Sequence, residues 1–428
     1  MSVFHVVALG AVIVLGVLFF LVLFEPGLAY EIRGALPQCG THESLGLVAA
    51  LVDVPVLRRS RIEVLTDSVE FYGQELDAIK TAQRSIHLEA FVFHPSGIAD
   101  RFLEALAERA AAGIKVRMVI DAIGSMQTPN SYLERVREAG GEVQWYQPVG
   151  WYTLKRFNNR THRELLVVDG KTGFVGGAGI AAWWTEGSDG YGPWRDTVVR
   201  VTGPLAAALQ TSFVENWLES KGEVLAERTD FPYCLAEDAE PAAGDTNGLV
   251  VTSAPSAGKA TRARILFQVL LASARESVMI NCPYFLPDQG VIRELAAAVH
   301  RGVSVEVIVP GDLNNHPIAR RASRRRYGDL LRNGVRLFEY QPAMMHAKIL
   351  IIDRVWSVVG STNFDNRSFG LNDEVNLAVQ DRAVAGRLER DFQADLTRSH
   401  EVMIDEWQRR SWGERMLAGV GVLLERNQ

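Results

Sequence analysis

Two stretches of the chain carry side chains suited to handling a phosphate ester. In one, His346, Lys348 and Asp353 are followed by Gly360-Ser361-Thr362-Asn363. In the other, His162, Glu164 and Asp169 stand at the same spacing and are followed by Gly176-Gly177-Ala178-Gly179. A histidine can attack phosphorus or move a proton, a lysine neutralises phosphate charge, and an asparagine amide donates hydrogen bonds. Residues two apart on a strand leave the same face, so His346 and Lys348 point together. The apolar run Ile349 to Ile352 buries the strand behind them.

The elements that must position these groups occur twice. Ala82 to Phe93, a helix end followed by a strand, matches Ala274 to Phe285. Ala112 to Asp121 matches Arg301 to Pro310, each a helix end, a glycine stop and a buried strand. Gly140 pairs with Gly334, and Tyr146-Gln147-Pro148 with Tyr340-Gln341-Pro342. The two histidine motifs then follow in the same order. The fold class read from this is α/β, with two domains of one design forming a pseudo-dimer and a site where equivalent surfaces meet. The first domain is expected over 45–220 and the second over 249–400, joined by 221–248, where Ala236 to Gly244 reads as a surface linker.

Composition bounds the rest. Of 428 residues, 47% are apolar and 22% charged, which excludes bulk disorder and a polytopic membrane protein. The three cysteines, Cys39, Cys234 and Cys282, suggest neither a zinc site nor a disulfide framework. A net charge of −6 leaves no global basic field for nucleic acid. Ser2 to Phe24 contains no charged residue and is long enough to span a bilayer core, so residues 1–25 are expected to form an N-terminal transmembrane helix. The weak excess of Arg after it leans towards a cytoplasmic body. Residues 401–428, with Trp407, Trp412 and interspersed arginines, suit an amphipathic helix at the interface. Arg320, Arg321, Arg324, Arg325 and Arg326 suit either anionic headgroups or a solvated helix face. Trp145, Trp151, Tyr152, Trp183 and Trp184 flank the first motif and could line an acyl entrance or pack in the core.

The pattern H-x-K-x4-D followed by G-S-x-N is the signature of the phospholipase D superfamily, which this sequence resembles over nearly its whole length beyond the first segment. Residues 360–378, GSTNFDNRSFGLNDEVNLA, are most similar to bacterial cardiolipin synthases. Phe71-Tyr72, Ile86 to Glu89 and Trp194-Arg195-Asp196-Thr197 point the same way. The resemblance implies a phosphatidyltransferase working in two steps through a phosphohistidine, without metal or other cofactor. Its substrate would be a phospholipid, with phosphatidylglycerol yielding cardiolipin. His162 is the expected nucleophile and His346 the expected acid/base, with Lys348, Asp169 and Asp353 completing the catalytic set. Asp169 and Asp353 are expected mainly to orient a histidine or cap a turn. Asn363, Ser361, Glu164, Glu374 and Asp196 form the substrate-binding set. Within it, Asp196 and Glu374 suit orientation of the histidine rings.

The first motif departs from the family. Glu164 occupies the lysine position and Gly179 the asparagine position, and Arg163 alternates to the opposite face. An ionised carboxylate about 5 Å from a phosphate would cost about 3 kcal/mol at an effective dielectric of about 20, roughly two decades in rate. Glu164 could be neutralised, could handle the acceptor alcohol, or could mark a degenerate half. Lysine at 164 is expected to keep or raise activity. Two other functions remain open: hydrolysis of phospholipid or nucleic acid phosphodiesters, and lipid binding without turnover.

Overall fold

The computed structural model describes residues 31–409, except 149, 151–157, 189, 228–229, 232–243, 256–259 and 315–316, together with His5, Gly10, Ile13, Val14 and Gly16. After a helix α1 (His42–Leu51), one series runs β1 (Leu57–Leu65), α2 (Ser68–Thr81), β2 (Ser85–Ala90), α3 (Gly97–Ala111), β3 (Lys115–Asp121), α4 (Glu134–Glu138), β4 (Glu142–Tyr146), β5 (Glu164–Val168), β6 (Thr172–Gly176), β7 (Val198–Thr202) and α5 (Pro204–Lys221). The second series begins β8 (Thr246–Ser253), α6 (Arg262–Ser273), β9 (Ser277–Asn281), α7 (Gln289–His300), β10 (Ser304–Pro310), α8 (Pro317–Arg332) and β11 (Arg336–Tyr340). It continues β12 (Ile349–Ile352), β13 (Trp356–Gly360), α9 (Asn366–Gly370), β14 (Glu374–Gln380), α10 (Arg382–Leu396), β15 (Ser399–Glu401) and α11 (Ile404–Gln408).

The punctuation is the same in both copies. Ser96 caps α3 by accepting from Ala99 N–H, and Asp288 caps α7 by accepting from Gly290 and Val291 N–H. Gly113 and Gly302 then stop these helices at φ +86° and +88°, a conformation glycine adopts without strain. The strands that precede these helices, β2 and β9, are buried at every position and so on both faces.

All fifteen described strands join one sheet, in the order β15-β11-β10-β9-β12-β13-β14-β8-β1-β7-β6-β5-β2-β3-β4. Read outward from the β1/β8 contact, the two halves have the same order, except that the second carries β15 beyond β11 at its edge. In each half three strands are parallel, and the strand that begins beside a histidine runs antiparallel to the first of them. Each histidine therefore lies at the carboxyl ends of its parallel strands, where open α/β sheets place their sites. One apolar cluster spans both halves under α5 and α10, including Leu205, Phe213, Ile351 and Phe392. Each half is completed by its own cluster on the other face of the sheet.

Four of the expected segment assignments need correction or restriction. Residues 45–52 do not pack with the first half. Leu45, Val48 and Val52 lie in the core of the second, Ser44 Oγ accepts from Trp356 Nε1 at 3.3 Å, and Cys39 Sγ lies 3.3 Å from Ser273 Oγ. The start of the joining segment is not free surface, because Leu225 and Asp230 are buried against the first half; residues 236–243 lie outside the described residues. The tail from 401 begins as the end of β15 and the short helix α11. Trp407 there donates to Arg324 O at 2.9 Å, and residues 410–428 lie outside the described residues. The expected anchor also lies outside them, apart from five positions. Among the described residues no helix is long and apolar enough to cross a membrane.

Candidate active site

The two halves are stitched together beside each histidine. Thr161 and Asp373 form an isolated parallel bridge, as do Arg195 and Met345. His162 N–H donates to Asp373 O at 2.9 Å, and His346 N–H donates to Arg195 O at 2.7 Å. Each histidine therefore sits next in sequence to a residue bridged to the other half, and each bridging partner is followed by a carboxylate.

Those carboxylates cross over. Glu374 Oε2, from the second half, lies 3.2 Å from His162 Nδ1. Asp196 Oδ2, from the first half, lies 2.8 Å from His346 Nδ1. Both carboxylates are fully buried. Holding Nδ1 fixes the tautomer and turns Nε2 towards the open site. Ser361 supports the same arrangement. Its carbonyl is 3.0 Å from His162 Nδ1 and its hydroxyl donates to Glu374, so it holds the ring in place and is not aimed at substrate.

Lys348 lies against His346, with Nζ 3.0 Å from Nδ1 and 3.3 Å from Nε2. Its Nζ also enters the first half, where a Cβ on Gly177 would come within 2.9 Å of it. Glycine at 177 is thus what admits the lysine. Burial pushes Lys348 below the usual lysine range, against the pull of Asp196. Burial and then the Lys348 charge lower His346 to about 4, opposed by Asp196. Burial alone would raise Asp196, but the His346 hydrogen bond and Lys348 outweigh it and hold the carboxyl below its ordinary value. Asn363, two residues after Ser361, is buried, with Oδ1, the acceptor end of its amide, unpartnered among the described residues.

Aromatic rings wall the site. Phe91 meets His162 edge-on at 5.0 Å, and Trp184, Trp194 and Tyr284 lie 5.3, 5.3 and 6.3 Å from His346. Trp184 also donates to Asp196 Oδ2 at 3.1 Å, so its role is to support the buried carboxylate. Phe91 and Tyr284 are additions to the residues singled out from sequence. Both follow the first parallel strand of their half, which is the signal that could have found them. Of the other flanking aromatics, Trp145 bonds Asn130 Oδ1 and Trp183 stacks on Trp194, while Trp151 and Tyr152 lie outside the described residues.

Asp169 and Asp353 are not in this site, which corrects their place in the catalytic set. Each lies seven residues along a strand from its histidine, roughly 20 Å at the rise of an extended chain. Both adopt positive φ, 56° and 51°, in the turn beyond the strand. Asp169 accepts from the N–H groups of Gln83, Arg84 and Ser85, and Asp353 from those of Arg275, Glu276 and Ser277. They tie the entry of β2 and β9 to the hairpin behind. Asp196 and Glu374, grouped with substrate binding, touch the histidines instead. The arginines of α8 are partly neutralised, Arg320 by Asp312 and Arg324 by Glu339, leaving Arg321 and Arg325 exposed on one face.

The first-half departures fit together. Glu164 turns its carboxyl to the loop after β2, where Oε1 accepts from Val92 N–H at 3.1 Å. A Cβ at Gly179 would lie 2.9 Å from that oxygen and 2.7 Å from Val92 Cβ, so Gly179 leaves the room Glu164 fills. Tyr72 donates to Gly179 O and fixes the same turn. Arg163 points to the opposite face, paired with Glu215 at 2.9 Å.

A model of the phospholipase D-like domain of cardiolipin synthase matches residues 76–212 and 268–396. A cardiolipin synthase of Alkalihalophilus pseudofirmus is 32% identical over 396 residues, spanning 91% of this chain and 77% of that protein. Cardiolipin synthase A of Pseudomonas fluorescens SBW25 is 34% identical over 373 residues, 87% of this chain and 76% of that protein. Among solved structures, phosphatidylserine synthase of Haemophilus influenzae Rd KW20 superposes with a TM-score of 0.64 at 16% identity, covering 88% of this chain and 95% of that one. Polyphosphate kinase of Porphyromonas gingivalis gives 0.52 at 14% identity, covering 84% of this chain and 53% of that one. At these identities the structural likeness is one of fold.

Proposed function

The chain belongs to the phospholipase D-like family of cardiolipin synthases, and from that membership we propose that it transfers a phosphatidyl group between two phosphatidylglycerol molecules to make cardiolipin. The observation that carries this reading is the exchange of carboxylates, which pins both histidines across the seam between the halves, with Lys348 against His346.

His162 Nε2 attacks the donor phosphorus, the P–O bond to the headgroup glycerol breaks, and His346 protonates the departing glycerol. The second phosphatidylglycerol then presents a headgroup hydroxyl, His346 takes its proton, and the P–N bond to His162 breaks. His346 is neutral in the empty site, at about 4. A phosphodiester monoanion about 4 Å away stabilises its imidazolium by about 4 kcal/mol at an effective dielectric of about 20, or about three pK units. Substrate charge thus brings His346 to a value suited to both roles near neutral pH. Lys348 offsets the phosphate charge.

The apolar segment Ser2 to Phe24 supports a place at the cell membrane with a single N-terminal anchor, and the arginines after it favour a cytoplasmic catalytic body. The test is purified full-length protein in phosphatidylglycerol vesicles. Cardiolipin and glycerol in equal amounts support transfer. Phosphatidic acid in place of cardiolipin would make the enzyme a hydrolase, and vesicle binding without turnover would make it a lipid-binding protein.

A further inference from the structure

Glu164 is two residues from His162 on the same face of its strand, the place that Lys348 holds beside His346. An ionised carboxylate there would oppose the phosphate on which the proposed function depends. The surroundings answer this conflict. Burial, the largest influence, raises the Glu164 carboxyl well above its ordinary value, and Asp196 adds to the rise. The Val92 and Phe91 backbone and Lys348 act the other way without overcoming it. Gly179 and Val92 close around Oε1, so the carboxyl is held in one orientation.

We propose that Glu164 acts as an un-ionised carboxylic acid, accepting backbone N–H on one oxygen and offering its own O–H to a non-bridging oxygen of the transferring phosphoryl group. Its proton stays on the carboxyl throughout. The acid takes over the donor function of the missing lysine, leaving Lys348 as the ammonium shared by both halves. Gly179 belongs to the same change, because an asparagine there would displace the acid. Lysine at 164 would set a further donor against the Val92 and Phe91 N–H groups, so Glu164→Lys loses activity, contrary to what the motif alone suggests.

The proposal rests on phosphoryl transfer at this site, and its test separates the two. Infrared difference spectra of the full chain at neutral pH, wild type against Glu164→Gln, should contain a carboxylic-acid C=O band that inorganic phosphate shifts. A carboxylate band in its place, or an acid band that phosphate leaves unmoved, overturns the proposal whether or not the protein turns over lipid. In phosphatidylglycerol vesicles, total turnover to cardiolipin plus phosphatidic acid should fall about tenfold to a hundredfold in Glu164→Ala. Glu164→Gln, which keeps a donor and an acceptor, should recover most of that loss. A Gln variant as impaired as Ala, in folded protein, contradicts the proposal. Absence of both products in wild type would overturn the proposed function alone, and the infrared arm would still decide for or against Glu164.

Discussion

His162 and Glu374 lie 212 positions apart in the chain, yet Nδ1 of one is 3.2 Å from Oε2 of the other. The reciprocal pair, His346 and Asp196, closes at 2.8 Å. Neither half can orient its own histidine, so one site requires both copies of the repeat. Asp196→Asn and Glu374→Gln should each keep the fold and lower turnover about a hundredfold, since the amide no longer fixes the tautomer or stabilises the imidazolium. Circular dichroism and initial rates in phosphatidylglycerol vesicles check this together.

Asp169→Ala and Asp353→Ala should behave in the opposite way. Each removes a carboxylate that accepts three backbone N–H groups far from the histidines. The expected cost is about 2 to 3 kcal/mol of stability. Turnover per folded molecule should be unchanged. Denaturant unfolding alongside rates at low temperature separates the two effects.

The proton affinity of His346 should depend on phosphate. Without ligand it titrates at about 4, so it is neutral at pH 7. Inorganic phosphate should raise it towards neutrality and draw a proton from solution near pH 6. Histidine NMR resonances, assigned with His346→Ala, measure the shift; an unchanged titration would contradict substrate-driven protonation.

Buried Glu89 should draw stability down with rising pH between about 4.5 and 7. Burial raises Glu89 to about 7, and its Oε2 has no partner. Over that window the native state holds a proton there that the unfolded chain has already released, and the loss is complete once native Glu89 ionises. His346 and His87, lowered to about 4 and 3, act with the opposite sign but only below about 6.5, where the unfolded histidines become charged. In thermal melts the stability difference between Glu89→Gln and wild type should change between about pH 4.5 and 7 and stay constant at more alkaline pH.

The repeat, its alternation of helices and strands, and the histidine–lysine face were legible because each depends on local periodicity. The exchange of Asp196 and Glu374 was not, since it depends on how two similar surfaces meet across β1 and β8. The place of Asp169 and Asp353 was within reach: seven residues is an odd step along a strand, so those carboxylates cannot share the histidine face. Helix α1 was assigned to its neighbour in sequence, whereas Leu45 and Val48 find their apolar partners in the second half. Glu164 and Gly179 each looked like a loss when taken alone. Only the close approach of Glu164 Oε1 to Gly179, where a Cβ would come within 2.9 Å of it, makes them one feature.

The central claim is that two histidines held by exchanged carboxylates divide attack and proton transfer between them. Alkaline quenching of the enzyme during turnover of phosphatidylglycerol, followed by peptide mass analysis, tests it most directly. A phosphatidyl adduct on the peptide bearing His162 is predicted. An adduct on the peptide bearing His346, or steady turnover with no histidine adduct, would contradict the account.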